Sequence, residues 1–214
     1  MSDSKNLAGL TLGEFARVLA SDAPAPGGGS VAALAGALGA SLCAMVARLT
    51  IGKQKYRDSR ESMERLRDAA DALSMELLGL VDKDSDSYTL VTEALKLPKE
   101  TDAQKESRRD AIESATRQAA AVPMETLEHL SRIPGMIREA LLQGNPNCLT
   151  DAGVAVQMMR AAAAGAAYNV CINLSGIKDR ELAGALSART GELLAQIRNE
   201  ANLLERMVEE KLVF

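Results

Sequence analysis

The sequence has no tryptophan, two phenylalanines, three tyrosines and a single histidine, His129, among 214 residues. Its core must therefore be built from Ala, Leu, Val, Ile and Met. Ala and Leu are strong helix formers, so the composition favours helix over sheet. Only three cysteines occur, Cys43, Cys148 and Cys171, widely spaced and without a Cys-x-x-Cys pair. Wide spacing, the lack of a Cys-x-x-Cys pair and a single histidine argue against a Cys/His zinc site, and reduced, buried thiols are expected; no metal is called for. There is no excess of positive charge. Twenty-five Lys and Arg against 29 Asp and Glu leave a net charge of −4. That balance excludes general binding of nucleic-acid backbones, which needs a basic surface. The first fifteen residues lack both a basic start and a long apolar run, so no secretory signal is expected. Residues 31 to 47 hold no charge and are mostly Ala, Gly, Ser and Leu. This run is short for a membrane span and reads as a buried helix of a cytoplasmic protein with no membrane partner.

Hydrophobic residues make up 47% of the chain, enough for a sizeable core. The pattern predicts an all-α, single-domain bundle of six to eight helices over residues 1–214, with Ala/Gly-rich helices at its centre. Thr11 with Glu14 forms a capping box for a first helix to about Ala20. The run Asp22 to Gly29, with Pro24 and Pro26, stops any helix. Ser30 is expected to cap a second helix, about 31 to 50, whose Gly36, Gly39 and Ala40 permit close packing at the bundle centre or a subunit interface. A third helix, about 58 to 96, carries an apolar stripe of Leu66, Leu73, Leu77, Leu80, Tyr88, Val91 and Leu95. Thr101 with Gln104 caps a fourth, to about 132, which Pro123 should kink or split. Further helices are expected at about 135–143, 149–174 and 179–211.

Asp84 is the misfit in this pattern. It falls inside the stripe of the third helix, where an ionised carboxylate meets a desolvation cost unless it is paired. Either the stripe is interrupted at a subunit edge, or Asp84 meets a structural cation, or it is a carboxylate with a raised pKa able to shuttle protons. Asp82 and Asp86 fall on the opposite face with Thr89 and Glu93 and should be solvated. The glycines of Pro24 to Gly29 allow close approach to a ligand at a helix start, although a flexible turn explains them equally. Asn169 and Asn173 share one helical face and need partners, which neighbouring helices alone could supply. Asp151 and Asp179 suit first helical turns. Lys53 and Lys55 stand in a turn where solvation is the ordinary fate of a lysine.

Eight segments, in order, resemble the cyclodeaminase/cyclohydrolase family of folate one-carbon enzymes. They are Pro-Ala-Pro-Gly-Gly-Gly-Ser from Pro24, Thr-Ile-Gly-Lys-Gln-Lys-Tyr from Thr50, Asp-Ser-Asp-Ser-Tyr from Asp84 and Leu-Pro-Lys-Glu-Thr from Leu97. Ala-Val-Pro from Ala121, Gly-Asn-Pro-Asn from Gly144, Thr-Asp at Asp151 and Asn-Val-Cys-Ile-Asn-Leu from Asn169 complete the set. The resemblance spans nearly the whole chain and matches the C-terminal half of formiminotransferase-cyclodeaminase. It implies an all-α homodimer with a tetrahydrofolate derivative bound near the interface as substrate. It implies either conversion of 5-formimidoyltetrahydrofolate to 5,10-methenyltetrahydrofolate and ammonia, a lyase reaction, or hydrolysis of the methenyl compound to 10-formyltetrahydrofolate. A formimidoyl substrate would then come from a separate protein. Asp84 matches the acidic residue four before an aromatic. With Lys53 it forms the expected catalytic set, and Gly27, Gly28, Gly29, Ser30, Asp151, Asn169 and Asn173 are the expected substrate-binding set. Gln54 departs from a commonly basic position. Against both enzymatic readings stands a helical dimerisation module, for which Asp84 would matter only to stability.

Overall fold

A computed structural model describes residues 6–212. Seven α-helices follow one another: α1 (Leu12–Leu19), α2 (Gly28–Ile51), α3 (Arg60–Lys96), α4 (Asp102–Leu130), α5 (Ile133–Gln143), α6 (Leu149–Leu174) and α7 (Arg180–Glu209). Two short 3-10 turns, Gln54–Ser59 and Pro146–Cys148, complete the described structure, which contains no strand. The all-α expectation and the helix number are met.

The capping boxes form as the sequence requires. Thr11 accepts from the Glu14 backbone N–H while the Glu14 carboxylate accepts from that of Thr11, and Thr101 and Gln104 repeat the exchange. Asp179 caps α7 by accepting from the Leu182 N–H. The uncharged run becomes the central helix α2, packed chiefly against α3 and α6, with Ala33, Ala37, Ala40, Ala44 and Ala47 fully enclosed. Gly36 is needed there: a Cβ would come within 2.5 Å of Leu130 Cδ2 on α4. The largest core cluster joins α2, α3, α4 and α6 with the inner face of α7. Cys43 lies inside it, and burial pushes its thiol up to about 12.

Four expectations need correction. Ser30 does not cap α2. The helix begins at Gly28 with Gly27 as its cap, because the Ser30 hydroxyl is engaged by α3 instead. Pro123 does not split α4, which runs through it as one helix. The carbonyl that Pro123 leaves without a donor, that of Ala119, is taken by the Asn173 side chain. The stripe of α3 is buried from Leu66 to Leu80 only. Tyr88 and Leu95 are exposed, because α2 runs antiparallel to α3 and starts opposite Asp84, so α2 does not cover the stripe beyond it. Finally, Asp82 is not simply solvated. Its Oδ1 accepts from the Leu7 N–H at 2.6 Å and fixes the N-terminal segment, whose Leu7 enters the core.

Candidate functional site

Three elements converge at one end of the bundle: the start of α2, the middle of α3 and the last turns of α6. Proline and glycine before α2 carry little side-chain bulk, so the helix start can approach both neighbours. A Cβ on Gly29 would lie 2.1 Å from Asp84 Oδ1, and one on Gly28 would lie 3.3 Å from Asn169 Nδ2. Small residues thus place a helix N-terminus against a carboxylate and an amide. Between them opens a pocket of about 340 Å³, within the range of small-molecule sites. Gly27, Gly28, Gly29, Asp84, Asn169 and Asn173 all line it, together with Tyr88, Val91 and Ile172.

Asp84 is half-buried in this pocket. Its Oδ2 accepts a hydrogen bond from the Ser30 hydroxyl at 2.9 Å, and the same hydroxyl reaches the Val81 carbonyl at 3.1 Å. Ser30 itself is fully buried, so this hydroxyl is shielded from solvent. Burial pushes the Asp84 carboxyl above the ordinary carboxylate range. The Ser30 hydroxyl and then its backbone N–H pull the other way, without cancelling the shift. Such a group can hold and release a proton nearer neutrality than a solvated carboxylate. Among the described residues Asp84 is the only charged side chain lining the pocket. A cation is therefore the charge that this pocket favours.

The two amides are oriented by the protein. Asn169 Nδ2 donates to the Gly165 carbonyl at 2.8 Å. Asn173 Nδ2 donates to Ala119 O at 3.0 Å and to Asn169 O at 2.8 Å. Both residues are half-buried, and their oxygens remain available to a ligand donor.

Lys53 and Asp151 stand elsewhere in the subunit. Lys53 follows the end of α2 and Asp151 lies in the first turn of α6, both within electrostatic reach of Cys148. Because α2 and α6 run antiparallel, that corner is separated from the Asp84 pocket by the length of α2, on the order of 35 Å for 24 residues. Among the described residues no three His, Cys, Asp or Glu side chains gather as a metal site. Sequence reasoning missed Tyr88, Val91 and Ile172 as pocket walls. The spacing of four and seven residues from Asp84 was a usable signal for the first two, since it repeats one face of α3.

The formiminotransferase-cyclodeaminase profile matches residues 11–192. The formimidoyltransferase-cyclodeaminase of Mus musculus is 34% identical over 207 residues, covering 97% of this chain but 38% of that protein. The methenyltetrahydrofolate cyclohydrolase of Methylorubrum extorquens is 36% identical over 199 residues, 93% of this chain and 94% of its own length. The crystal structure of formiminotetrahydrofolate cyclodeaminase from Thermotoga maritima superposes with a TM-score of 0.83 at 28% identity, covering 94% of this chain and 96% of that one.

Proposed function

The chain belongs to the formiminotransferase-cyclodeaminase family, and from that premise we propose that it closes the one-carbon bridge of a tetrahydrofolate at the Asp84 pocket. The leading reaction is conversion of 5-formimidoyltetrahydrofolate to 5,10-methenyltetrahydrofolate and ammonia. The observation that carries it is a single carboxylate, raised in pKa by burial, set in a pocket with no other charge.

The reaction needs one base that can become an acid. N10 attacks the carbon of the formimidoyl group on N5, whose imino nitrogen is protonated, forming the new carbon–nitrogen bond. Asp84 takes the N10 proton and returns it to the amino nitrogen, which then leaves as ammonia. The methenyl product keeps the single positive charge of the substrate cation, and the ionised Asp84 stabilises it. Asn169 and Asn173 hydrogen-bond the pterin edge. The N–H groups that open α2, from Gly28 to Ser30, favour the anionic form of Asp84 before the first transfer and after the second.

A specific observation favours a second reading. The cyclohydrolase of Methylorubrum extorquens matches nearly end to end. In that reaction water attacks the methenyl carbon while Asp84 takes one of its protons; Asp84 then gives that proton to N5 as the carbon–N5 bond breaks, and the remaining hydroxyl proton is lost to solvent to leave 10-formyltetrahydrofolate.

The functional unit is proposed to be a homodimer. Leu38, Leu42 and Leu49 on α2 and Val154, Tyr168 and Ile172 on α6 form one apolar face that nothing in the subunit covers fully. Ile172 is also a wall of the pocket. A second copy packed antiparallel on this face brings Lys53 of the partner subunit toward the Asp84 pocket, where a lysine suits the folate glutamate carboxylates. The deciding experiment is incubation of the purified chain with 5-formimidoyltetrahydrofolate. Release of ammonia with formation of methenyltetrahydrofolate supports the first reaction. Conversion of methenyl- to 10-formyltetrahydrofolate without ammonia release from the formimidoyl compound selects the second, and inertness toward both refutes the proposal.

A further inference from the structure

Pro123 has a consequence at the pocket, although it lies on a helix that supplies only one wall of it. A proline lacks a backbone N–H, so the carbonyl four residues earlier loses its helical donor. That carbonyl belongs to Ala119, itself a pocket-lining residue. Its replacement donor comes from another helix: Asn173 Nδ2, at 3.0 Å. The same nitrogen gives its second hydrogen to the Asn169 carbonyl at 2.8 Å. Both partners are carbonyls, which only accept, so the amide cannot be turned around without losing both bonds. Its two hydrogens are consumed and Oδ1 is left without a protein partner among the described residues.

We infer that Pro123 is a positioning residue for substrate recognition: by withdrawing one backbone donor from α4 it recruits the Asn173 amide and commits Asn173 Oδ1 to accept from an N–H or O–H group of the ligand. The inference rests on the folate reading of the pocket. It assigns a specificity to Asn173, which discriminates against a ligand that presents an acceptor at that point, since two acceptors would then face each other unpaired. Asn169 is not restricted in this way. It uses one hydrogen on Gly165 O and keeps both a donor and an acceptor for the ligand. An alanine at position 123 restores a helical N–H to Ala119 O, which competes with the Asn173 amide there and leaves that amide held chiefly by its bond to Asn169 O.

The test is a double-mutant cycle on the full chain, read by equilibrium dialysis of 5-formyltetrahydrofolate, with melting temperature measured alongside. Pro123→Ala is expected to raise the melting temperature, because a helical hydrogen bond is regained, and to weaken ligand binding about tenfold, the loss of one ordinary hydrogen bond. Asn173→Ala is expected to weaken it comparably. The double variant is expected to bind no worse than Asn173→Ala alone, because Pro123 acts only through that amide. A purely structural proline moves the melting temperature and leaves the dissociation constant where it was. Wild-type binding with undiminished affinity in Pro123→Ala overturns this inference alone, as do additive losses in the double variant. No binding by the wild-type chain overturns the folate reading and the inference with it.

Discussion

Gly29 and Asp84 occupy one space: the position that a Cβ on Gly29 would take is 2.1 Å from Asp84 Oδ1. Glycine is required here for room, since the backbone is ordinary helix. Gly29→Ala should displace the carboxylate and cost about 1–3 kcal/mol of stability, the usual range for overpacking. Turnover should fall with it. Gly79→Ala on the open face of α3, where nothing lies within 4 Å of the added carbon, is the control. It should gain about 0.5–1 kcal/mol by denaturant titration and leave turnover unchanged.

Asp84→Asn should separate stability from activity. The folded pKa of Asp84 is raised, so the folded state holds its proton more tightly than the unfolded chain does. Folding therefore carries a penalty that sets in as pH rises from the unfolded value through the folded one, and persists in full above it. The asparagine variant avoids that penalty. It should melt higher than wild type near neutral pH and converge with it in acid, while turnover drops about 10²–10⁴-fold, as for loss of a general base. Unchanged turnover would return Asp84 to a structural role.

Ser30→Ala tests the environment of the carboxylate. The Ser30 hydroxyl opposes the upward shift of Asp84, so removing it leaves burial less opposed. The acidic limb of the kcat/KM profile, which reports Asp84 in the free enzyme, should move to higher pH. A limb that stays in place would mean that the titrating base is another group.

The uncovered face of α2 and α6 predicts assembly. Leu38→Glu should give monomers by sedimentation velocity, since a charge in a dimer core is left unpaired. Asp84→Asn and Lys53→Ala are each expected to be nearly inactive. Mixed in equal amounts and allowed to exchange, they should recover about a quarter of wild-type activity, because half the dimers are mixed and each of those contains one intact site. No recovery would refute a site shared between the two subunits.

Much of this was legible in the sequence for physical reasons. The capping boxes at Thr11 and Thr101 are local hydrogen-bond exchanges and needed no knowledge of the rest of the chain. Asp84 announced itself by standing in an apolar stripe, which is a property of one helix. What could not be read was set between helices. Ser30 looks like a cap in sequence, and only the approach of α3 shows that its hydroxyl is spent on Val81 and Asp84. Asp82 looks solvated until the N-terminal segment folds across it. Lys53 and Asp151 fall far from Asp84 within the subunit because α2 intervenes, a distance that no spacing along the chain encodes.

The Ser30 hydroxyl has a single hydrogen and two oxygens to serve, Asp84 Oδ2 and the Val81 carbonyl. When Asp84 is ionised the hydrogen is drawn to the carboxylate. When Asp84 takes up a proton, the hydroxyl can swing to Val81 and, in turn, accept from the new carboxylic acid. Asp84 is hydrogen-bonded to Ser30 in both states, as acceptor when ionised and as donor when protonated. A proton can then enter and leave Asp84 with one hydroxyl rotor turning and no heavy atom of the scaffold displaced.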